Sequence, residues 1–204
     1  MTPIFILLSL IPFYLIGTFP TGVLVAKYYG VDITTKGSGN VGATNVSRVV
    51  GKKAGILTLV GDLLKGGLAV ALALFLGRMG WYPAFAGIAV VCGHCFSLPP
   101  YLRGGKGVAT SLGVIVTLSP LLALSGLLIF CTLFYFKRIV SLSSISAAVG
   151  VPLVALSFGY PDFIIGALVP ISIIIIYRHR ENLDRIVKGT EPTMSFSKKE
   201  TSSK

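Results

Sequence analysis

Long apolar stretches separated by short polar ones run along nearly the whole chain. Apolar residues dominate at about 3–25, 54–77, 81–100, 108–136, 139–158 and 162–177. A helix needs roughly 20 apolar residues to cross the hydrocarbon core of a bilayer. The pattern therefore predicts an all-α, polytopic integral membrane protein, with one membrane domain over residues 1–192 and a polar, disordered tail over 193–204.

The first apolar stretch is predicted to be a spanning helix and not a cleaved signal peptide. No basic residue precedes it, and it is longer than the roughly 7–15 residues of a signal-peptide core. The flank at residues 17–20, Gly-Thr-Phe-Pro, does not resemble a small-x-small cleavage site either.

Composition supports a lipid environment. Hydrophobic residues make up 53% of the 204 residues and charged residues only 12%, whereas a soluble domain carries about a quarter charged residues. The net charge of +11 is concentrated in the polar segments between the apolar stretches. The positions of these basic clusters help to predict the topology of the chain in the membrane.

The number of spans depends on Pro120. If residues 108–136 form one helix, six spans result, and the basic clusters fall on both sides of the membrane. If Pro120 divides them into Val108–Leu118 and 121–136, there are seven spans. With the N-terminus outside, all of the 18 lysines and arginines except Arg78 and Lys65 are then cytoplasmic. Basic residues favour the cytoplasmic side, so we predict seven transmembrane helices with a cytoplasmic C-terminus.

Two short motifs point to chemistry that their surroundings do not support. Gly37, Gly39 and Gly42 satisfy G-x-G-x-x-G, but dinucleotide binding by that motif requires a preceding strand. Residues 92–95 spell CGHC, a C-x-x-C sequence inside an apolar stretch. We interpret its two thiols as small buried apolar groups.

Hydrolase and metal chemistry lack sequence support. The chain contains neither G-x-S-x-G nor H-E-x-x-H, and its three cysteines and two histidines are scattered. We therefore expect no metal and no cofactor.

The segment GSGNVGATNVSRVVG at residues 37–51 is the first polar cluster. Its glycines would allow backbone N–H groups to turn toward an anion. Thr44 and Asn45 are predicted to cap a short helix through Val50, whose N-terminus also favours an anion. Arg48 would add a two-pronged hydrogen-bond donor for phosphate or carboxylate.

Three further polar clusters fall on the same predicted face of the membrane. They are RGGKG at 103–107, Lys137 and Arg138 followed by serines at 141, 143 and 144, and the segments 177–182 and 188–191. A lysine between glycines at a helix start suits a phosphate group, although the sequence is not a Walker loop. Basic loops alone would not require these glycines, so the clusters together predict an anion-binding site.

Asp62 and Lys65 are charged residues inside the second apolar stretch. Their spacing puts them on one helix face, and charges inside a membrane usually pair or line a cavity. The pair either has a purely structural role or supports the site, and the sequence leaves both readings open.

Two non-enzymatic functions also fit basic residues in a membrane protein. A phosphate or organic-anion transporter would place them near the membrane midplane within structural repeats, whereas here they lie at one face and no repeat is visible. A scaffold that binds anionic lipids would not need the glycine loops.

Three motifs resemble a known family. GSGNVGATNVSR, GGKGVATSLG and HRENLDRIVKGTE are similar to the bacterial acyl-phosphate-dependent glycerol-3-phosphate acyltransferases, the PlsY family. The resemblance runs from the first helix to Glu191. It implies a seven-helix enzyme of the bacterial inner membrane with its active site on the cytoplasmic face.

The resemblance also implies the reaction. A fatty acyl group would pass from acyl-phosphate to the 1-hydroxyl of sn-glycerol 3-phosphate, giving 1-acyl-sn-glycerol 3-phosphate and inorganic phosphate in the first acylation of phospholipid synthesis. The expected partners are both substrates, the lipid bilayer and the soluble enzyme that makes acyl-phosphate, with no nucleic acid.

The resemblance, taken together with the polar clusters and the charged pair, implies three groups of candidate residues. The candidate catalytic residues are Ser38, Arg48, Lys106 and His179. The candidate substrate-binding residues are Gly39, Asn40, Thr44, Asn45, Gly104, Gly105, Gly107, Ser144 and Asn182. The candidate supporting residues are Gly189, Glu191, Asp62 and Lys65.

The acceptor of the hydroxyl proton has two candidates. An unperturbed histidine pKa near 6.5 would suit His179 as a general base. Alternatively the donor's own phosphate takes the proton and His179 binds substrate, which is the reading we favour. Because acyl-phosphate is already an activated donor, neither reading needs a covalent enzyme intermediate.

Overall fold

The computed structural model describes residues 3–76, 79–97 and 104–194, and these residues form helices and connecting loops. The helices are α1 (Pro3–Ser9), α2 (Ile11–Thr18), α3 (Thr21–Tyr28), α4 (Ala43–Val49), α5 (Lys52–Phe75), α6 (Trp81–Cys95), α7 (Val108–Leu118), α8 (Pro120–Lys137), α9 (Val140–Ser157), α10 (Asp162–Arg178) and α11 (Arg180–Val187). The tail predicted to be disordered lies outside the described residues from 195 onward, as do Arg78 and Arg103.

The first apolar stretch is broken into three helices instead of forming the one that the sequence predicted. Helices α1, α2 and α3 together make an apolar segment, Ile4–Tyr28, of 25 residues. The break before α3 falls at Pro20, and Phe19 is extended with φ −57° and ψ 119°. A residue before proline is pushed out of the helical region, which explains the break.

The division at Pro120 is confirmed. Helix α7 ends at Leu118 and α8 begins at Pro120. Ser119 between them is extended, and its Oγ accepts a hydrogen bond from the Leu122 N–H at 3.4 Å. Serine as the capping residue followed by proline in the first helical position is a typical helix start.

Within the described residues, four helical segments are long and apolar enough to cross a membrane: 4–28, α5, α8 and α9. Helices α10 and α11, which meet at a 59° bend, would together provide a fifth. Helices α6 and α7 are apolar but shorter, with 15 and 11 residues. The helical membrane architecture agrees with the sequence prediction, while the count of seven spans and their orientation stay predictions.

Small residues bring α7 close to α5. A Cβ added to Gly66 on α5 would lie 2.0 Å from the Thr110 carbonyl oxygen, and one added to Gly113 on α7 would lie 1.9 Å from the Leu63 carbonyl oxygen. Glycine lets helix backbones approach in this way inside membranes. The short α7 is therefore held against its neighbour, with its N-terminal loop in a fixed place.

Helix α5 carries large apolar residues outward and polar residues inward. Leu57, Leu64 and Leu68 are more than half exposed, whereas Asp62 and Lys65 are buried. In a soluble protein the apolar residues of a helix would be buried and the charged ones exposed. The opposite distribution here suits a lipid environment, because charged residues inside a membrane face the protein interior.

Candidate active site

One cavity of about 540 Å³ gathers most of the candidate residues. Of the candidates, it is lined by Ser38, Asn40, Thr44, Asn45, Arg48, Asp62, Lys106, Gly107, Ser144, His179, Asn182 and Glu191. Gly39, Gly104, Gly105, Lys65 and Gly189 are not among its lining residues. Segments far apart in the sequence thus meet at one place.

Asn45 organises the glycine-rich loop. Its side-chain oxygen accepts from the Ser38 N–H at 3.0 Å, and its amide nitrogen donates to the carbonyl oxygens of Lys36 and Asn40 at 3.1 and 2.9 Å. The side chain is buried. Asn45 therefore holds the loop in shape from inside.

The backbone donors of the loop are used internally, contrary to the anion-nest prediction. The Ser38 N–H is bound by Asn45, the Gly39 N–H donates to the Lys36 carbonyl, and the Gly42 N–H donates to the Asn40 side chain. The nest prediction is wrong for these three groups, because the side chains of Asn45 and Asn40 and the Lys36 carbonyl already accept from them.

The cap of α4 is also different from the predicted one. Gly42 is the capping residue, and Thr44 and Asn45 lie in the first helical turn. This register places Thr44 at the cavity wall and Arg48 one turn later. Arg48 is exposed and makes no hydrogen bond with the other described residues, so its five donors are available to an anion.

Lys106 precedes α7 and is hydrogen-bonded to the last of the three motifs. Its Nζ donates to the side-chain oxygen of Asn182. The Asn182 amide in turn donates to Glu191 Oε1 at 2.5 Å. Gly107 follows the lysine and is the capping residue before α7. Its φ of +85° is a conformation that glycine adopts without strain.

Glu191 anchors this chain of hydrogen bonds. It also accepts from the Ser141 hydroxyl at 2.6 Å and from Arg185 Nε at 2.7 Å. Burial alone would raise the pKa of Glu191, but the hydrogen bonds from Ser141, Asn182 and Arg185 outweigh it and lower that pKa. Glu191 is thus held as a carboxylate with its oxygens occupied, in keeping with a supporting role.

Burial changes the acid–base behaviour of Lys106. Removal from water lowers its pKa to about 8, against the opposing attraction of Glu191. Desolvation disfavours the charged ammonium. A bound phosphate would favour the charged ammonium form further.

His179 lies at the bend between α10 and α11 and is buried. Its Nδ1 is 2.8 Å from the Ile175 carbonyl oxygen. Because a carbonyl only accepts, Nδ1 carries the proton and Nε2 is left as an acceptor. Burial lowers the pKa of His179 to about 4, partly offset by the hydrogen bond to Ile175. The ring is therefore neutral and a weak base at neutral pH.

Gly189 closes α11. It has φ +68°, its N–H donates to the Ile186 carbonyl, and the next N–H, of Thr190, donates to the Arg185 carbonyl. A glycine with positive φ is a common helix terminator. This turn leads the chain back to Glu191.

Two residues that contact the lysine loop (residues 104–107) were not among the candidates predicted from the sequence. Arg178 donates from Nε to the Gly105 carbonyl at 3.0 Å and from Nη2 to the Gly104 carbonyl at 2.8 Å. His94, inside the CGHC motif, lines the cavity. The position of Arg178 next to His179 was the available signal for the first, whereas the apolar surroundings of His94 concealed the second.

The two cysteines of CGHC are free thiols, with Cys92 half-buried and Cys95 buried. This agrees with their interpretation as packing groups.

Apolar residues also line the cavity: Leu59, Val108, Ala109 and Phe130. The lining thus combines cationic and hydroxyl groups with apolar side chains. It suits a ligand that has both an anionic group and a hydrocarbon part.

Comparison with known proteins places the chain in a family. A family model described as "Glycerol-3-phosphate acyltransferase" matches residues 7–189. The glycerol-3-phosphate acyltransferase of Trichlorobacter lovleyi is 47% identical over 178 residues, which are 87% of this chain and 92% of that protein. The protein of the same name from Aquifex aeolicus is 44% identical over 179 residues, covering 87% of this chain and 93% of its own length.

Solved structures agree with the sequence comparisons. A crystal structure of PlsY, described as an integral membrane glycerol 3-phosphate acyltransferase in its glycerol 3-phosphate form, has a TM-score of 0.87 and 42% identity over 93% of this chain and 96% of that chain. Its lysophosphatidic acid form has a TM-score of 0.85 and the same identity, over 93% of this chain and 95% of that chain. The family resemblance drawn from the three motifs is confirmed. The chain therefore belongs to the PlsY family of glycerol-3-phosphate acyltransferases and is an integral membrane acyltransferase of phospholipid synthesis.

Proposed function

We propose that the protein transfers a fatty acyl group from acyl-phosphate to the 1-hydroxyl of sn-glycerol 3-phosphate, releasing 1-acyl-sn-glycerol 3-phosphate and inorganic phosphate. The main support for the proposal is that Arg48, Lys106 and His179 line one cavity together with apolar residues. The related PlsY structures are described as glycerol 3-phosphate and lysophosphatidic acid forms, which supports this acceptor and this product.

Two anionic groups must be held in the reaction, and besides Arg185, which is paired with Glu191, two cations line the cavity. Arg48 lies on α4 and Lys106 before α7. We assign Arg48, with the hydroxyls of Ser38 and Thr44, to one phosphate and Lys106 to the other. The Arg48 fork suits two phosphate oxygens at once.

The chemical step builds negative charge on the carbonyl oxygen and on the leaving phosphate. A cation held in place before the reaction stabilises such charge without reorganisation. Lys106 fits this role because Asn182 and Glu191 fix its position. One of its three N–H donors is used by Asn182, and the other two make no hydrogen bond with the described residues, so they can bind substrate oxygens.

We assign the hydroxyl proton to the phosphate of the donor and a binding role to His179. With Nδ1 bound to the Ile175 carbonyl, His179 presents Nε2 as an acceptor, which suits a hydroxyl of the glycerol. The pKa of about 4 makes it a poor proton acceptor at neutral pH. The Asn45 side chain already makes three hydrogen bonds with the backbone of the glycine-rich loop, so we assign it a positioning role.

The same proposal includes the orientation of the enzyme. The basic segments place the cavity on the cytoplasmic face of the bacterial inner membrane by the preference of lysine and arginine for that side. The soluble enzyme that makes acyl-phosphate would then deliver its product to this face.

The donor is tested by incubating the purified protein with glycerol 3-phosphate and either long-chain acyl-phosphate or the corresponding acyl-coenzyme A. We expect lysophosphatidic acid from acyl-phosphate and none from the thioester. Lys106→Ala should abolish most of the activity, whereas Lys53→Ala, an exposed lysine away from the cavity, should not. Product from acyl-coenzyme A alone would overturn the donor assignment. Anion uptake by proteoliposomes without product would favour the transporter alternative.

A further inference from the structure

Three buried polar residues lie beneath the lysine loop. Asp62, Lys65 and His94 are 3%, 7% and 6% exposed. Lys65 Nζ lies 2.9 Å from Asp62 Oδ1, 2.7 Å from His94 Nδ1 and 3.0 Å from the Phe19 carbonyl oxygen. The Lys65 ammonium group donates to His94 and to the Phe19 carbonyl and forms an ion pair with Asp62, whose Oδ1 accepts no hydrogen bond from the described residues. The contact with Lys65 holds the imidazole ring in one orientation.

The Lys65 contact determines how the ring faces the loop. Because an ammonium group only donates, His94 Nδ1 accepts and Nε2 carries the proton. The Nε2 side faces Gly105: a Cβ added to Gly105 would lie 2.2 Å from Nε2. The Gly105 N–H also donates to the His94 carbonyl at 3.1 Å. His94 thus contacts Gly105 through both its ring and its backbone.

The neighbouring glycines rest on the same helix end. A Cβ on Gly104 would lie 2.3 Å from the Cys95 carbonyl oxygen, and one on Gly107 would lie 2.9 Å from Cys95 Sγ. The glycines before and after Lys106 therefore pack on the last residues of α6. The segment 104–107 therefore packs against the last two residues of the CGHC motif, His94 and Cys95.

We propose that His94, oriented by the Asp62–Lys65 ion pair, is a positioning residue for Lys106. The ring supports the segment 104–107 from below, while Arg178 binds the carbonyls of Gly104 and Gly105 from α10. The inference rests on the proposed role of Lys106 in stabilising charge. A misplacement of about 1 Å can cost roughly 100-fold in rate, so fixing this backbone has a direct catalytic effect.

A histidine that only fills space and pairs with Lys65 would behave differently. Its removal would lower stability, and any loss of activity would not depend on Lys106. A residue that acts through Lys106 has no effect on turnover once that lysine is absent, because its partner in the chemistry has been removed.

The test compares His94→Leu and His94→Asn with Cys92→Ala as a matched control on the same helix end. His94→Leu should lower kcat for acyl transfer by roughly 10- to 100-fold, and Cys92→Ala should stay near wild type. His94→Asn should recover part of the loss, because its amide oxygen can accept from Lys65. In the Lys106→Ala background, His94→Leu should cause no further loss. The proposal would be overturned if His94→Leu lowered kcat by the same factor in the Lys106→Ala background as in the wild type. It would also be overturned if His94→Leu were as active as the Cys92→Ala control.

Hydrogen exchange gives a readout that does not depend on the donor. The amides of residues 104–107 should exchange faster in His94→Asn and His94→Leu than in Cys92→Ala, and unchanged exchange in both would contradict the positioning role. If His94→Leu does not fold, His94→Asn carries both measurements because it keeps an acceptor for Lys65. A wild-type enzyme that makes no product from acyl-phosphate would refute the proposed donor, while the exchange result would still decide the positioning of the segment.

Discussion

Lys106 donates a hydrogen bond to Asn182, which lies 76 positions further along the chain. Through this contact the lysine loop before α7 is joined to the segment after the bend at His179. Asn182 continues to Glu191, which Ser141 and Arg185 hold. The second and third motifs therefore form one hydrogen-bonded unit that fixes a cation at the cavity.

The lowered pKa of Lys106 predicts a pH dependence. Its ammonium form, which we propose to be the active one, is present below about pH 8 and is lost as the pH rises through that value. We expect kcat/KM, which reports the free enzyme, to fall above about pH 8. The profile is measured between roughly pH 6 and 10.

The control for this profile is Lys106→Arg. A guanidinium stays protonated over the whole range, so any activity that remains should lack the fall. If the wild-type kcat/KM stayed constant to pH 10, or if Lys106→Arg showed the same fall, the ionisation of Lys106 would not control the activity.

We predict that Arg48→Lys is not a conservative change. Lysine keeps the charge but loses the planar fork that can bind two phosphate oxygens. A charge-assisted hydrogen bond contributes about 1.5–3 kcal/mol, so kcat/KM should fall roughly 10- to 100-fold with the fold intact. Arg180→Lys, an exposed arginine that does not line the cavity, is the matched control. Normal kinetics in Arg48→Lys would leave Arg48 with a role in topology only.

His179 is predicted to bind glycerol 3-phosphate and not to take its proton. His179→Ala should raise KM for glycerol 3-phosphate by a few-fold to about 10-fold, the value of one neutral hydrogen bond. His179→Asn should recover part of that affinity, since asparagine can accept a hydrogen bond but is no base. No ionisation near pH 6.5 should arise from this residue, because its pKa is about 4.

The opposite pattern would make His179 the general base. In that case kcat would collapse by about 10²–10⁴-fold in both variants while KM stayed unchanged.

The seven-span topology predicts which sites can be labelled from outside the cell. In a protein whose three cysteines are replaced, a new cysteine at Met79 or Asp162 should react with an impermeant reagent. A cysteine at Lys188 should react only after the membrane is opened. Residues 79, 162 and 188 are all exposed in the structure, so burial does not explain a difference. Labelling of position 188 from outside would contradict the predicted orientation.

Local signals in the sequence predicted some elements closely. Helix α7 begins and ends as predicted because glycine precedes it and Pro120 follows it, and both act on the adjacent backbone. The ion pair between Asp62 and Lys65 was also readable, since the two residues lie one helical turn apart.

Contacts between residues far apart in the sequence could not be predicted from such local signals. Asn45 satisfies the N–H of Ser38 from seven positions away, which removed the predicted anion nest. His94 was missed because its partner, Lys65, lies 29 positions earlier on another helix. An apolar stretch around a C-x-x-C motif gives no sign of such a partner.

The central claim is direct acyl transfer from acyl-phosphate at this cavity, and it is tested most directly by measuring phosphate and lysophosphatidic acid together. Acyl-phosphate is mixed with a stoichiometric amount of enzyme, with and without glycerol 3-phosphate, and both products are followed from the first turnover. The account predicts that phosphate and lysophosphatidic acid form in equal amounts and only when both substrates are present. A burst of phosphate without glycerol 3-phosphate, leaving acylated enzyme, or phosphate release without lysophosphatidic acid, would contradict it.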